Sequence, residues 1–119
     1  MRLSERQRIF TKNIGCLILH AESIGIGLTF GHAWRSLEEQ RRLKSEGLSQ
    51  TLNSRHLDRL AVDFNFFVDG QLTYDFDTIK PLGDYWESLH TDNRWGGDFN
   101  GNDKEDGFVD TPHFEMKKK

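Results

Sequence analysis

The chain is poor in the features that mark several large classes of protein. A single cysteine, Cys16, excludes an internal disulfide, so the fold does not depend on oxidation. It sits among Ile14, Leu17 and Ile18 and reads as core filler rather than as a nucleophile. No apolar run approaches the ~20 residues of a membrane span. The start, Met1-Arg2-Leu3-Ser4-Glu5-Arg6, is charged and is not followed by the apolar core of a secretory signal. The net charge is only −3, which argues against general nucleic-acid binding, since that needs a basic surface. The one basic run, Lys117-Lys118-Lys119, reads as a solvated terminus. Repeats, low-complexity tracts and linkers are missing too.

What is present suits one packed domain spanning residues 1–119. The 119 residues are too few for two cores, while 35% hydrophobic content with three Trp and nine Phe is enough for one. Ser4 with Gln7 reads as a capping box opening a helix over residues 5–23, with Phe10, Ile14, Leu17, Ile18 and Ala21 on one stripe. Gly25 and Gly27 should end it. Residues 28–34 read as a short strand. Ser36 with Glu39 opens a second helix that Gly47 closes, and residues 48–55 form a polar loop.

Residues 60–68 give the clearest strand signal. Alternation places Val62, Phe64, Phe66 and Val68 on a core face, and Ala61, Asp63, Asn65 and Phe67 on the other. A carboxylate and an amide in so apolar a run are unusual for a purely structural strand. Asp69-Gly70 signals a hairpin, with residues 71–76 returning antiparallel. Leu82, Tyr85, Trp86 and Leu89 mark a third helix over residues 78–90, and residues 113–116 a last strand. Helices precede strands that pair antiparallel, so the expected class is α+β.

Two segments about fifty residues apart carry the chemistry: Ser54-Arg55-His56 leading to Asp63, and Asp110-Thr111-Pro112-His113. His56, Asp63 and His113 supply the nitrogen and oxygen donors of a catalytic zinc site with one position left for water. Asp110, three residues before His113, is placed to take the proton from that water. Arg35 offers a permanent charge to polarise a carbonyl and stabilise an oxyanion. Spacing alone leaves other readings open. Asp63 could pair with Arg55 or Arg59, Asp110 could be a turn residue before Pro112, Arg35 a surface charge, and Ser54 a loop cap. His20, His32 and His90 are read as surface or core histidines.

These segments resemble the zinc peptidase family that includes D-alanyl-D-alanine carboxypeptidases, vancomycin-resistance dipeptidases and phage L-alanyl-D-glutamate endolysins. The family pattern is Ser-x-His, six residues and Asp, then an acid, two residues and His; Ser54, His56, Asp63, Asp110 and His113 match it. Trp34-Arg35-Ser36 resembles the family's arginine segment, and Trp95-Gly96-Gly97 its Trp-Gly stretch, so the likeness runs over residues 28–116. Arg59 departs from a frequent Gly, and Asp110 stands where several relatives carry Glu. The resemblance implies a zinc ion on His56, Asp63 and His113, Asp110 as base, Arg35 on the substrate carbonyl and Ser54 near the substrate. It also implies cleavage of the L-Ala–D-Glu bond of peptidoglycan stem peptides by a monomer made in the host cytoplasm and released by a holin. The alternatives are a D-Ala–D-Ala carboxypeptidase or dipeptidase of the same family, or a non-catalytic wall-binding module. Asp98, Asn100 and Asn102 alternate as in a calcium loop, and some phage relatives bind regulatory calcium there.

Overall fold

The structure, a computed structural model, describes residues 1–33, 36–47 and 58–117. Helix α1 spans Leu3–Ser23, strand β1 Gly27–Phe30, helix α2 Leu37–Ser45, strand β2 Ala61–Val68, strand β3 Gln71–Thr73, helix α3 Phe76–Leu89, strand β4 Asn93–Trp95 and strand β5 His113–Met116. The sheet runs β1-β2-β5-β4, with β3 also pairing with β2, and every pairing is antiparallel. The α+β expectation is met by these three helices packed with a mainly antiparallel sheet.

The core lies between the sheet and α1 and α3. Phe10, Ile14, Leu17 and Ala21 of α1 meet Ile79, Leu82 and Trp86 of α3 and Val62, Phe64 and Phe66 of β2, all buried. The alternation read from β2 therefore holds. Its core face is closed by aromatic contacts, Phe64 and Trp86 each lying about 6 Å, centroid to centroid, from Phe114 of β5.

Local chemistry sets most element ends. Ser36 caps α2 by accepting from the Glu39 N–H at 3.1 Å, and Gly47 follows that helix at φ +75°. Asp75 caps α3 through Thr78, which starts the helix at Phe76 and cuts β3 short of the expected residue 76. Asp69 and Gly70 both take positive φ, as a two-residue hairpin requires. The box expected at Ser4 does not form. Arg2 occupies the N-cap without a side-chain capping bond, Ser4 lies inside α1, and the Gln7 amide instead donates to the Asp58 carbonyl at 2.7 Å. A hydrogen bond to the chain leading into β2 thus replaces the local capping bond. Arg59 sits at φ +56°, in the left-handed region that favours glycine.

Strand β4 was not expected from the sequence, and it orders the Trp-Gly-Gly stretch. The Trp95 indole lies between two glycines: a Cβ on Gly83 of α3 or on Gly97 would come within 2.2 Å of its ring atoms. Its N–H donates to the Thr111 carbonyl at 2.8 Å. Any side chain at Gly83 or Gly97 would push this ring off the turn that leads into β5.

Candidate metal centre

The register of β2 against β5 pairs Asp63 with His113 and Ala61 with Glu115. Directly opposed residues in an antiparallel pair project from the same face about 4.5–5.5 Å apart at Cβ. Asp63 and His113 therefore meet on the face away from the aromatic core. His113 Nδ1 lies 3.2 Å from Asp63 Oδ1. Its Nε2 lies 2.8 Å from Glu115 Oε1, and Glu115 is gripped on its other side by Arg94 at 2.8 Å.

Asp110 is brought to this pair by a turn held from all sides. Its N–H donates to the Gly96 carbonyl at 2.9 Å, and its own carbonyl accepts from the His113 N–H at 3.0 Å. The Thr111 hydroxyl donates to the Tyr74 carbonyl at 2.8 Å, and the Pro112 carbonyl accepts from the Phe64 N–H at 3.0 Å. Gly96 must lack a side chain here, since a Cβ would stand 2.3 Å from the Asp110 carbonyl oxygen. One donor atom each from Asp63, Asp110 and His113 falls within a 4.8 Å group, the one cluster of its kind among the described residues.

The donors fit a divalent ion. Two atoms each about 2.1 Å from one tetrahedral zinc stand about 3.4 Å apart, close to the Asp63–His113 separation. With Nε2 engaged by Glu115, His113 has Nδ1 to offer, the carboxylate–histidine arrangement that orients metal-binding imidazoles. Burial opposes the charge on His113, but the hydrogen bonds and negative charges of Asp63 and Glu115 outweigh it, raising its pKa to about 9. Burial likewise opposes ionisation of Glu115, and the bonds and charges of His113 and Arg94 reverse that, holding it below the usual range. Three carboxylates around one imidazole form a site electrostatically prepared for a cation.

Three of the four expected ligand and base positions, Asp63, His113 and Asp110, are thus together. His56, Ser54 and Arg35 lie outside the described residues. One neighbour escaped the sequence reading, Glu115; its signal was the i+2 spacing from His113, which places both on one face of β5. His32, read as a surface or core histidine, lies beside the site: its carbonyl accepts from the Asp63 N–H at 2.7 Å and its Nδ1 stands 3.9 Å from Asp63 Oδ2. Of the histidines read as non-ligands, His20 stacks on Tyr85 at 3.9 Å, and His90 Nδ1 accepts from the Asp92 N–H.

In the loop read for calcium, Asp98 is buried and its two carboxylate oxygens accept from the N–H groups of Asn102 and Asp103 at 3.1 Å each. The side-chain amides of Asn100 and Asn102 donate to Asp106 at 2.8 and 2.9 Å. These bonds close the loop on itself.

Glu115 yields the first expected outcome. Replacing it with glutamine keeps the shape but removes the charge that steadies the His113 ring. Zinc affinity, measured by competition with a chelator, is expected to fall about 10–100-fold. An unchanged affinity would mean that Glu115 serves only Arg94.

Two carboxylates and an imidazole gathered at the β2–β5 pair form a potential metal site. The chain belongs to the phage L-alanyl-D-glutamate peptidase family, whose model matches residues 19–117. It is a peptidoglycan hydrolase of the endolysin kind. Among solved structures it is similar to the Serratia marcescens L-Ala D-Glu endopeptidase ChiX, with TM-score 0.67 and 24% identity over 98% of this chain and 87% of that one. That likeness establishes the fold. No curated protein matches the sequence. None of the described helices is long and apolar enough to cross a membrane.

Proposed function

We propose that the chain cuts the L-Ala–D-Glu bond of the stem peptide with a zinc ion held by His56, Asp63 and His113. The observation that carries this reading is the 3.2 Å approach of His113 Nδ1 to Asp63 Oδ1 with Asp110 in the same group. When bound, zinc supplies a Lewis acid that lowers the pKa of a water to about 7 and polarises a carbonyl. Asp110 takes the proton from the attacking water. Arg35 holds the carbonyl oxygen as negative charge develops on it, and Ser54 bonds the substrate nearby. As the C–N bond breaks, Asp110 returns the proton to the departing amine of D-Glu, so the base ends as it began. Glu115 and Arg94 keep the His113 ring fixed throughout. The reading includes a single-domain monomer that reaches peptidoglycan after holin-type release.

Calcium at Asp98, Asn100 and Asn102 is a separate proposal. It would require the two amides to turn their oxygens inward in place of the N–H groups that now bond Asp106.

Digestion of purified sacculi tests the reading. Mass spectrometry is expected to show new peptides with a free N-terminal D-Glu. Release of free D-Ala would instead establish the carboxypeptidase alternative, and no release with retained sacculus binding would establish a wall-binding module.

A further inference from the structure

A cavity of about 480 Å3 opens on the polar face of β2, lined among others by His32, Asp63, Asn65, Tyr74 and Pro112. It starts at the metal-binding carboxylate and continues along the strand to Asn65, two residues and about 6.6 Å further on. Asn65 belongs to no core contact and no metal ligand set, yet it is held in place. The Tyr74 hydroxyl donates to Asn65 Oδ1 at 2.5 Å, and Asn65 Nδ2 donates to the Thr29 hydroxyl at 3.3 Å. An amide nitrogen carries two N–H groups, and the Thr29 bond uses one. Tyr74 thereby fixes which way the amide faces. What remains for a ligand is an N–H from Asn65 and the O–H of Thr29, both donors.

A site that offers neutral donors next to a peptidase centre takes an acceptor group from the substrate. In the L-Ala–D-Glu linkage the glutamyl residue continues the stem through its side-chain carboxyl, which leaves its α-carboxylate free. That carboxylate is three bonds from the scissile carbonyl carbon, and its oxygens reach about 5 Å from it. With a hydrogen bond of about 2.9 Å the reach is about 8 Å, which covers the rise of about 6.6 Å from Asp63 to Asn65. An ionised carboxylate only accepts hydrogen bonds, so it matches this donor set.

We propose that Asn65, oriented by Tyr74 and assisted by Thr29, is a specificity-determining residue that binds the free α-carboxylate of the D-glutamyl residue beside the scissile bond. This rests on the peptidase reading above. The test compares two synthetic stem peptides, one with D-Glu and one with D-isoglutamine, whose carboxylate is replaced by a carboxamide. Zinc-loaded wild type is expected to favour the D-Glu peptide by about tenfold in kcat/KM. Asn65→Asp keeps the acceptor for Tyr74 but puts a negative charge where the N–H stood. Its KM for the D-Glu peptide is expected to rise about tenfold or more, its preference to invert toward D-isoglutamine, and its kcat and zinc content to stay at wild-type values. Tyr74→Phe is expected to raise KM for the D-Glu peptide about threefold with kcat unchanged, because the amide is no longer held. Asn65→Asp protein that keeps the wild-type preference, or that loses both substrates equally, would overturn the subsite while leaving the peptidase reading intact. Wild-type protein that cuts neither peptide would overturn both together.

Discussion

Asp110→Ala is expected to lower kcat by about 10²–10⁴-fold while one zinc ion per chain is retained. The magnitude is that of removing a positioned proton acceptor. The separation of the two effects follows from the geometry. The bonds that fix the Asp110–His113 turn are main-chain bonds to Gly96 and His113, together with those of Thr111 and Pro112. None of them needs the Asp110 side chain, so alanine leaves His113 and Asp63 opposed. Metal content by mass spectrometry and turnover on sacculi are measured on the same preparation. Loss of zinc along with activity would move Asp110 into the ligand set. Unchanged turnover would remove it from the chemistry.

Zinc affinity is expected to fall steeply as pH drops from 9. A metal needs the neutral imidazole, and in the metal-free fold His113 stays protonated up to about pH 9, where ordinary histidine would be neutral above about 6.5. Proton and metal compete for Nδ1, so each pH unit below the His113 pKa costs about tenfold in apparent affinity. Between pH 9 and 6.5 the loss from this residue is on the order of 300-fold. Stability of the metal-free protein runs the same way. The folded pKa is raised, so the stabilisation from protonated His113 is complete below about 6.5 and lost as pH rises through about 9. Zinc removal should therefore harm the protein more at pH 9 than at pH 6. Titration calorimetry across this range checks the first claim and melting of the metal-free protein the second. An affinity that stays flat from pH 9 to 7 would contradict the Asp63–His113–Glu115 arrangement.

Much of this site was legible because its signals are periodic. The alternation of β2 separates Val62, Phe64 and Phe66 from Asp63 and Asn65, and the structure keeps that division. Asp110 and His113 carry a local spacing that the turn makes real. What was hidden depends on register and packing. Glu115 shares a face of β5 with His113 by its i+2 spacing, but that this face meets Asp63 is set by the β2–β5 register, which no local pattern specifies. Strand β4 was missed because three residues leave no period to read, and the role of Gly83 appears only when the Trp95 ring lies against it. The capping box at Ser4 failed for a related reason: Gln7, its second member, bonds a residue 51 positions away. The Asn65–Tyr74 bond also crosses the β2–β3 hairpin, so only the oddity of an amide in that strand pointed to it.

Diffraction at the zinc absorption edge from crystals of the zinc-loaded protein tests the central claim most directly. One anomalous peak is expected about 2.0–2.2 Å from both His113 Nδ1 and an Asp63 carboxylate oxygen, with His56 completing the set and the Asp110 carboxylate beside the ion but not bound to it. A peak elsewhere on the chain, or an ion that leaves Asp63 and His113 bonded to each other, would contradict it.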